Sequence, residues 1–81
     1  PWPSAFTYLE GKMMKIWDAS VEDEESTKEP GTILELGKDY IKVATGKGIL
    51  KIHELQLEGK KRMSAAAFLN GYTVTAEHLG K

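Results

Sequence analysis

Turn signals recur along most of this chain: Gly11, Pro30-Gly31, Gly37-Lys38-Asp39, Gly46-Lys47-Gly48 and Glu58-Gly59. The pieces between them are short and rich in β-branched and aromatic residues, so they cannot be long helices and instead read as strands. Ala5 to Glu10 is the first expected strand, carrying Phe6, Thr7 and Tyr8, and Gly11-Lys12 is its expected hairpin loop. Met13 to Val21 follows. Its adjacent Ile16 and Trp17 break strict alternation, which predicts a bulge or burial on both faces there. Thr32 to Leu36 and Tyr40 to Thr45 are the third and fourth strands, and Ile49 to Leu57 is the fifth. In the fifth, Leu50 and Ile52 share one face by period two, whereas Leu55 and Leu57 fall on the other. A bulge near His53-Glu54 would bring both pairs inward.

Only one segment has helical periodicity. Ser64 is a good N-cap, Ala65, Phe68, Leu69 and Tyr72 follow at helical spacing, and Gly71 is the expected left-handed stop. Two turns do not persist alone in water, so this helix must dock on the sheet. About five strands and one short helix near the C-terminus predict a mainly β architecture, a small open Greek-key barrel resembling an OB-fold. The tail from Thr73 onward gives no pattern. At 81 residues the whole chain, 1–81, is expected to form one domain. It begins at Pro1 rather than methionine, as an excised or processed chain would.

The absence of cysteine removes disulfides and thiolate metal sites, and fits a cytoplasmic location. His53 and His78 are far apart in sequence, which argues against a histidine metal site, and no apolar run approaches membrane-spanning length. There is no nucleophile elbow, P-loop or zinc-protease helix. His53 reads as a partly exposed strand residue, and the acidic run at 22–29 lacks calcium-loop spacing. Catalysis within this chain is therefore not expected.

Charge is uneven. The chain has 11 bases and 12 acids, but residues 22–29 hold five of the acids and a single lysine, leaving ten bases against seven acids elsewhere. The densest basic cluster is Lys60-Lys61-Arg62, between a strand end and a helix start. Three cations on one connector can neutralise phosphates; the bland alternative is a solvated charged loop. Lys42, Lys47 and Lys51, with Lys12 and Lys15, are candidates to extend the basic face. Trp17 and Phe68 are expected in the core, as are most of the other aromatics. No basic–aromatic strip is evident, so contact with a nucleic-acid backbone is expected, not base stacking.

An ordered set of motifs resembles the carboxy-terminal domain of the methionyl-tRNA formyltransferase family. It comprises Pro1-Trp2-Pro3-x-Ala5-Phe6-Thr7-Tyr8, Lys15-Ile16-Trp17, Pro30-Gly31-Thr32-Ile33-Leu34 and Val43-Ala44-Thr45-Gly46-x-Gly48. It ends with Leu55-Gln56-x-Glu58-Gly59-Lys60-Lys61-Arg62-Met63-Ser64-Ala65 and Phe68-Leu69-x-Gly71. The resemblance implies an OB-like barrel that presents a positive face to initiator tRNA in translation initiation. It also implies a separate amino-terminal Rossmann-like domain that performs the formylation with 10-formyltetrahydrofolate. No cofactor or metal is then expected in this chain. An RNA-contacting role falls on Lys60 and Lys61, and less directly on Arg62. The alternative is a structural barrel that packs on the catalytic domain or another protein without touching RNA. One departure from the family is the slightly acidic overall charge: either the acidic segment at 22–29 faces away from RNA, which is the expectation, or the barrel contributes little affinity.

Overall fold

The computed structural model describes residues 5–22, 28–45 and 48–80. Alternation builds the first hairpin. β1 (Ala5–Leu9) pairs antiparallel with β2 (Lys12–Glu22), from Leu9 opposite Lys12 to Ala5 opposite Ile16. The loop is Glu10-Gly11, one residue earlier than expected, and both residues have positive φ, 52° and 84°. A tight two-residue turn of that hand matches the twist of the flanking strands, and Glu10 carries the strain of a left-handed non-glycine residue.

From β2 the chain crosses to the far edge of the sheet. β3 (Ile33–Leu36), β4 (Ile41–Ala44) and β5 (Ile49–Leu57) then return as a meander, so that β5 lies beside β2. The order β1-β2-β5-β4-β3, antiparallel throughout, is a curled, open Greek-key half-barrel, as the turn spacing predicts. Both expected bulges are present. The β2–β5 register slips past Trp17 on one strand and past His53 on the other. The second slip turns Leu50, Ile52, Leu55 and Leu57 all inward, where each is 6% exposed or less. They pack with Leu9, Met14, Ile16, Ile41, Val43, Phe68 and Leu79 in one apolar cluster.

A two-residue strand not anticipated from the sequence, β6 (Met63–Ser64), pairs with Glu54 and Leu55 of β5 and delivers the chain into α1 (Ala65–Gly71). Ser64 caps the helix by accepting the Ala67 N–H at 3.1 Å, and Ala65 and Phe68 are buried beneath it. Gly71 does not take the left-handed form. The helix ends because Tyr72 turns extended, at φ −132°, while still donating to the Phe68 carbonyl at 2.8 Å.

The tail, which carries no sequence pattern, closes the open side. Ile33 N–H donates to Glu77 O, and Leu79 N–H to Gly31 O, each at 2.8 Å; Gly80 N–H donates to Tyr8 O at 2.7 Å. One strip of backbone thus bonds the start of β3 and the edge of β1, and Leu79 plugs the core between them at 8% exposure. Gly31 is required for this: its φ is 96°, and a side chain there would come within 2.8 Å of the Leu79 carbonyl oxygen.

Candidate nucleic-acid interface

The connector between β5 and β6 is held at several points. The Trp17 indole N–H donates to Gln56 Oε1 at 3.1 Å, and Gln56 Nε2 donates to the Lys60 carbonyl at 3.1 Å. Lys60 N–H closes the turn onto Leu57 O at 2.9 Å, with Gly59 at φ 82°. Arg62 forks onto Glu54, with Nε at 2.8 Å from Oε2 and Nη2 at 3.1 Å from Oε1, and its guanidinium lies 4.4 Å from the centroid of the Trp17 ring. The bidentate hydrogen bond holds the Glu54 carboxyl below its ordinary range and raises the Arg62 pKa.

Trp17 is therefore not the core residue expected of it. The bulge leaves it half-buried on the outer face, where it is the platform beneath Arg62. Lys60 and Lys61 project from this braced connector. Both are exposed, and among the described residues neither side chain has an ion pair or hydrogen bond. The structure thus separates the triplet into two free cations and one whose charge Glu54 largely balances.

The other basic candidates lie elsewhere. Lys42 and Lys51 face each other across β4 and β5, near the start of β5 and so at the opposite end of that strand from Lys60. Lys42 Nζ is 3.4 Å from Glu22 and 3.8 Å from Glu35. Desolvation pulls its pKa down, but the two carboxylates outweigh it and hold the ammonium above its ordinary value. Lys51 Nζ sits 4.2 Å from the centroid of the Tyr40 ring, whose hydroxyl donates to Glu35 at 2.9 Å. This end of the outer face is a balanced cluster in which positive charge is matched by carboxylates. Lys47 and most of the acidic run, 23–27, lie outside the described residues. Glu22, where that run departs, pairs with Ile49 at the start of β5, so the acidic segment leaves from the end remote from Lys60 and Lys61.

Lys15 belongs with the free pair. It is exposed on β2 directly opposite Gln56, the residue that ties down Lys60. The row continues onto β1, where Phe6 is opposite Lys15 and Tyr8 opposite Met13. Phe6 is 57% and Tyr8 43% exposed, against the expectation that such aromatics fill the core. Alternation explains it: Leu9 and the inward positions Met14 and Ile16 occupy the core, which leaves Phe6 and Tyr8 on the other face of the sheet. Counting period two backward from Leu9 finds this signal in the sequence.

No group of three or more metal-binding side chains occurs among the described residues, and no helix there is long and apolar enough to cross a membrane. His53 Nε2 is 3.0 Å from Ser20 Oγ, a surface contact between neighbouring strands. A cleft between the β3–β4 turn and α1 is lined by residues such as Lys38, Asp39 and Asn70 and is open to solvent.

Residues 1–73 match the family described as formyl transferase, C-terminal domain. Among curated proteins, the methionyl-tRNA formyltransferase of Lachnospira eligens is 52% identical over 81 residues, covering 94% of this chain and 26% of that protein. Those of Alkaliphilus oremlandii and Coxiella burnetii are each 49% identical, over 91% and 89% of this chain and 24% and 23% of their own lengths. This chain spans about a quarter of the length of these relatives.

Proposed function

The chain belongs to the formyl transferase C-terminal domain family, and from that premise we propose that it is the RNA-holding domain of a methionyl-tRNA formyltransferase. In this reading it grips initiator tRNA through phosphates, while a preceding domain binds 10-formyltetrahydrofolate and carries out the transfer. The observation that carries the reading is the pair Lys60 and Lys61, two exposed cations without carboxylate partners among the described residues, on a connector braced by Trp17, Gln56, Glu54 and Arg62. A braced loop loses little conformational freedom on binding, so more of the attraction appears as affinity.

Lys15 adds a third exposed cation at the same end of the sheet, and the acidic segment departs from the other. Ammonium groups of this kind neutralise backbone phosphates and read no base. The contribution expected of the domain is salt-sensitive affinity with little discrimination between initiator and elongator tRNAs. Choice of tRNA then falls to the domain that performs the chemistry. Arg62 acts here mainly as a brace, and Lys42, Lys47 and Lys51 are secondary to Lys60 and Lys61.

The test is binding of this chain to deacylated initiator tRNA across roughly 20 to 150 mM salt, for the wild type and for the double variant Lys60→Glu/Lys61→Glu. The expected result is a log–log slope of a few released ions that falls by about two in the variant. Equal affinity and slope for the two proteins would remove the central claim.

A further inference from the structure

We propose that the exposed aromatic pair on β1 is a stacking platform for unpaired nucleotides at the end of the RNA stem that the lysines hold. The proposal rests on the RNA reading above and adds to it which part of the RNA meets this face.

Phe6 and Tyr8 stand two residues apart on the outer face of an edge strand, and their rings meet edge to face, 6.1 Å between centroids at 86°. That contact fixes one ring against the other without stacking them, so ring surface remains open to a further planar group. The exposures, 57% and 43%, are high for side chains whose transfer from water is worth more than almost any other.

The neighbours decide what covers them. Register sets Phe6 beside Lys15 and Lys15 beside Gln56, and Gln56 holds the Lys60 carbonyl. A row across three adjacent strands, roughly 10 Å wide at ordinary strand spacing, therefore joins the aromatic pair to the free lysines. A protein surface covering this row would have to supply both an apolar patch and acids for Lys15, Lys60 and Lys61. A polynucleotide supplies both in each unit, a phosphate for a cation and a base face for a ring. Glu58 lies within the patch, its Oε1 accepting the Met13 N–H at 3.1 Å; its charge offsets one of the three ammonium groups and leaves the patch positive.

Bases inside a paired stem are stacked on one another and present no free face. Only unpaired nucleotides can use the platform, whereas paired and unpaired RNA alike can use the lysines. This difference separates the proposal from the reading on which it rests.

The experiment compares an RNA hairpin, closed by a compact tetraloop whose bases are engaged within the loop, that carries a short unpaired 3′ extension with the same hairpin ended flush. Both are bound to this chain and to the double variant Phe6→Leu/Tyr8→Leu, with urea midpoints measured to show that the variant folds. The wild type is expected to bind the extended hairpin about five- to tenfold more tightly than the flush one, and the variant to bind both alike, at the wild-type affinity for the flush hairpin. On the wild type alone, the Phe6 and Tyr8 ring protons should shift upfield in nuclear magnetic resonance spectra with the extended hairpin and not with the flush one. A preference that survives in the variant, or equal binding of both hairpins by the wild type, overturns the platform; the second result would leave the patch to contact with a preceding domain. Failure to bind either hairpin at low salt overturns the RNA reading together with the platform.

Discussion

Arg62 lies over Trp17, its guanidinium 4.4 Å from the ring centroid, and the same indole donates to Gln56 at 3.1 Å. One aromatic side chain thus braces the basic connector from two directions, by its face and by its N–H. Phenylalanine keeps the face and removes the donor. Trp17→Phe should therefore lower stability by about 0.5–1.5 kcal/mol, the net worth of a hydrogen bond, seen as a lower urea midpoint with an unchanged slope. Because Lys60 and Lys61 are untouched, any fall in RNA affinity would report loss of bracing and not loss of charge.

Stability should also depend on pH through two carboxylates. Glu10 accepts hydrogen bonds from the Tyr72 hydroxyl at 2.7 Å and from Thr75 Oγ1 at 2.8 Å, which together hold its pKa below the ordinary 4.5. Glu54 is lowered in the same direction by the Arg62 fork. A carboxylate depressed by folding contributes stability that is fully present above its unfolded pKa and is lost as pH falls through the folded one. The urea midpoint should accordingly be flat from neutral pH down to about 5 and then decline. Glu10→Gln should start lower at neutral pH and decline less; a variant curve parallel to that of the wild type would show that Glu10 contributes nothing to the acid limb.

The glycines with positive φ separate backbone strain from steric clash. Gly59, at φ 82°, has open space where a side chain would go, whereas Gly31, at φ 96°, faces the Leu79 carbonyl. Gly59→Ala should cost only the left-handed strain, about 1–2 kcal/mol. Gly31→Ala should cost more, because the tail must also move. In hydrogen exchange the Gly31→Ala variant should lose protection at Ile33, Leu79 and Gly80 together, while Gly59→Ala leaves those amides protected.

How much of this was legible beforehand depended on the kind of signal each residue carries. The bulges at Trp17 and His53 could be read because they leave a fault in period-two alternation, and the core pairs Leu50/Ile52 and Leu55/Leu57 followed from the second of them. Ser64 could be read because capping is local chemistry. The tail could not. Its role lies in backbone hydrogen bonds to Gly31, Ile33 and Tyr8, which any sequence can supply and no side-chain pattern advertises. Within the interface, Lys60 and Lys61 stood out as a cluster, but sequence spacing does not show which cations are balanced. Glu54 lies eight residues from Arg62, and Glu22 twenty from Lys42; only the β5–β6 and β4–β5–β2 pairings bring them together. The exposure of Phe6 and Tyr8 was within reach of alternation counted from Leu9 and was masked by the general tendency of aromatics to be buried.

The backbone strip at 77–80 has a consequence for biosynthesis. A ribosome delivers this stretch after every strand it ties together, so a nascent chain displays the margins of β1 and β3 simultaneously, each with unsatisfied amides and carbonyls. Until Leu79 and Gly80 emerge, nothing in the order of synthesis shields those margins from a neighbouring polypeptide on the same message. Completion of this half-barrel thus has to wait until all of its strands have been made, and the interval before it is when the chain is most exposed to mispairing.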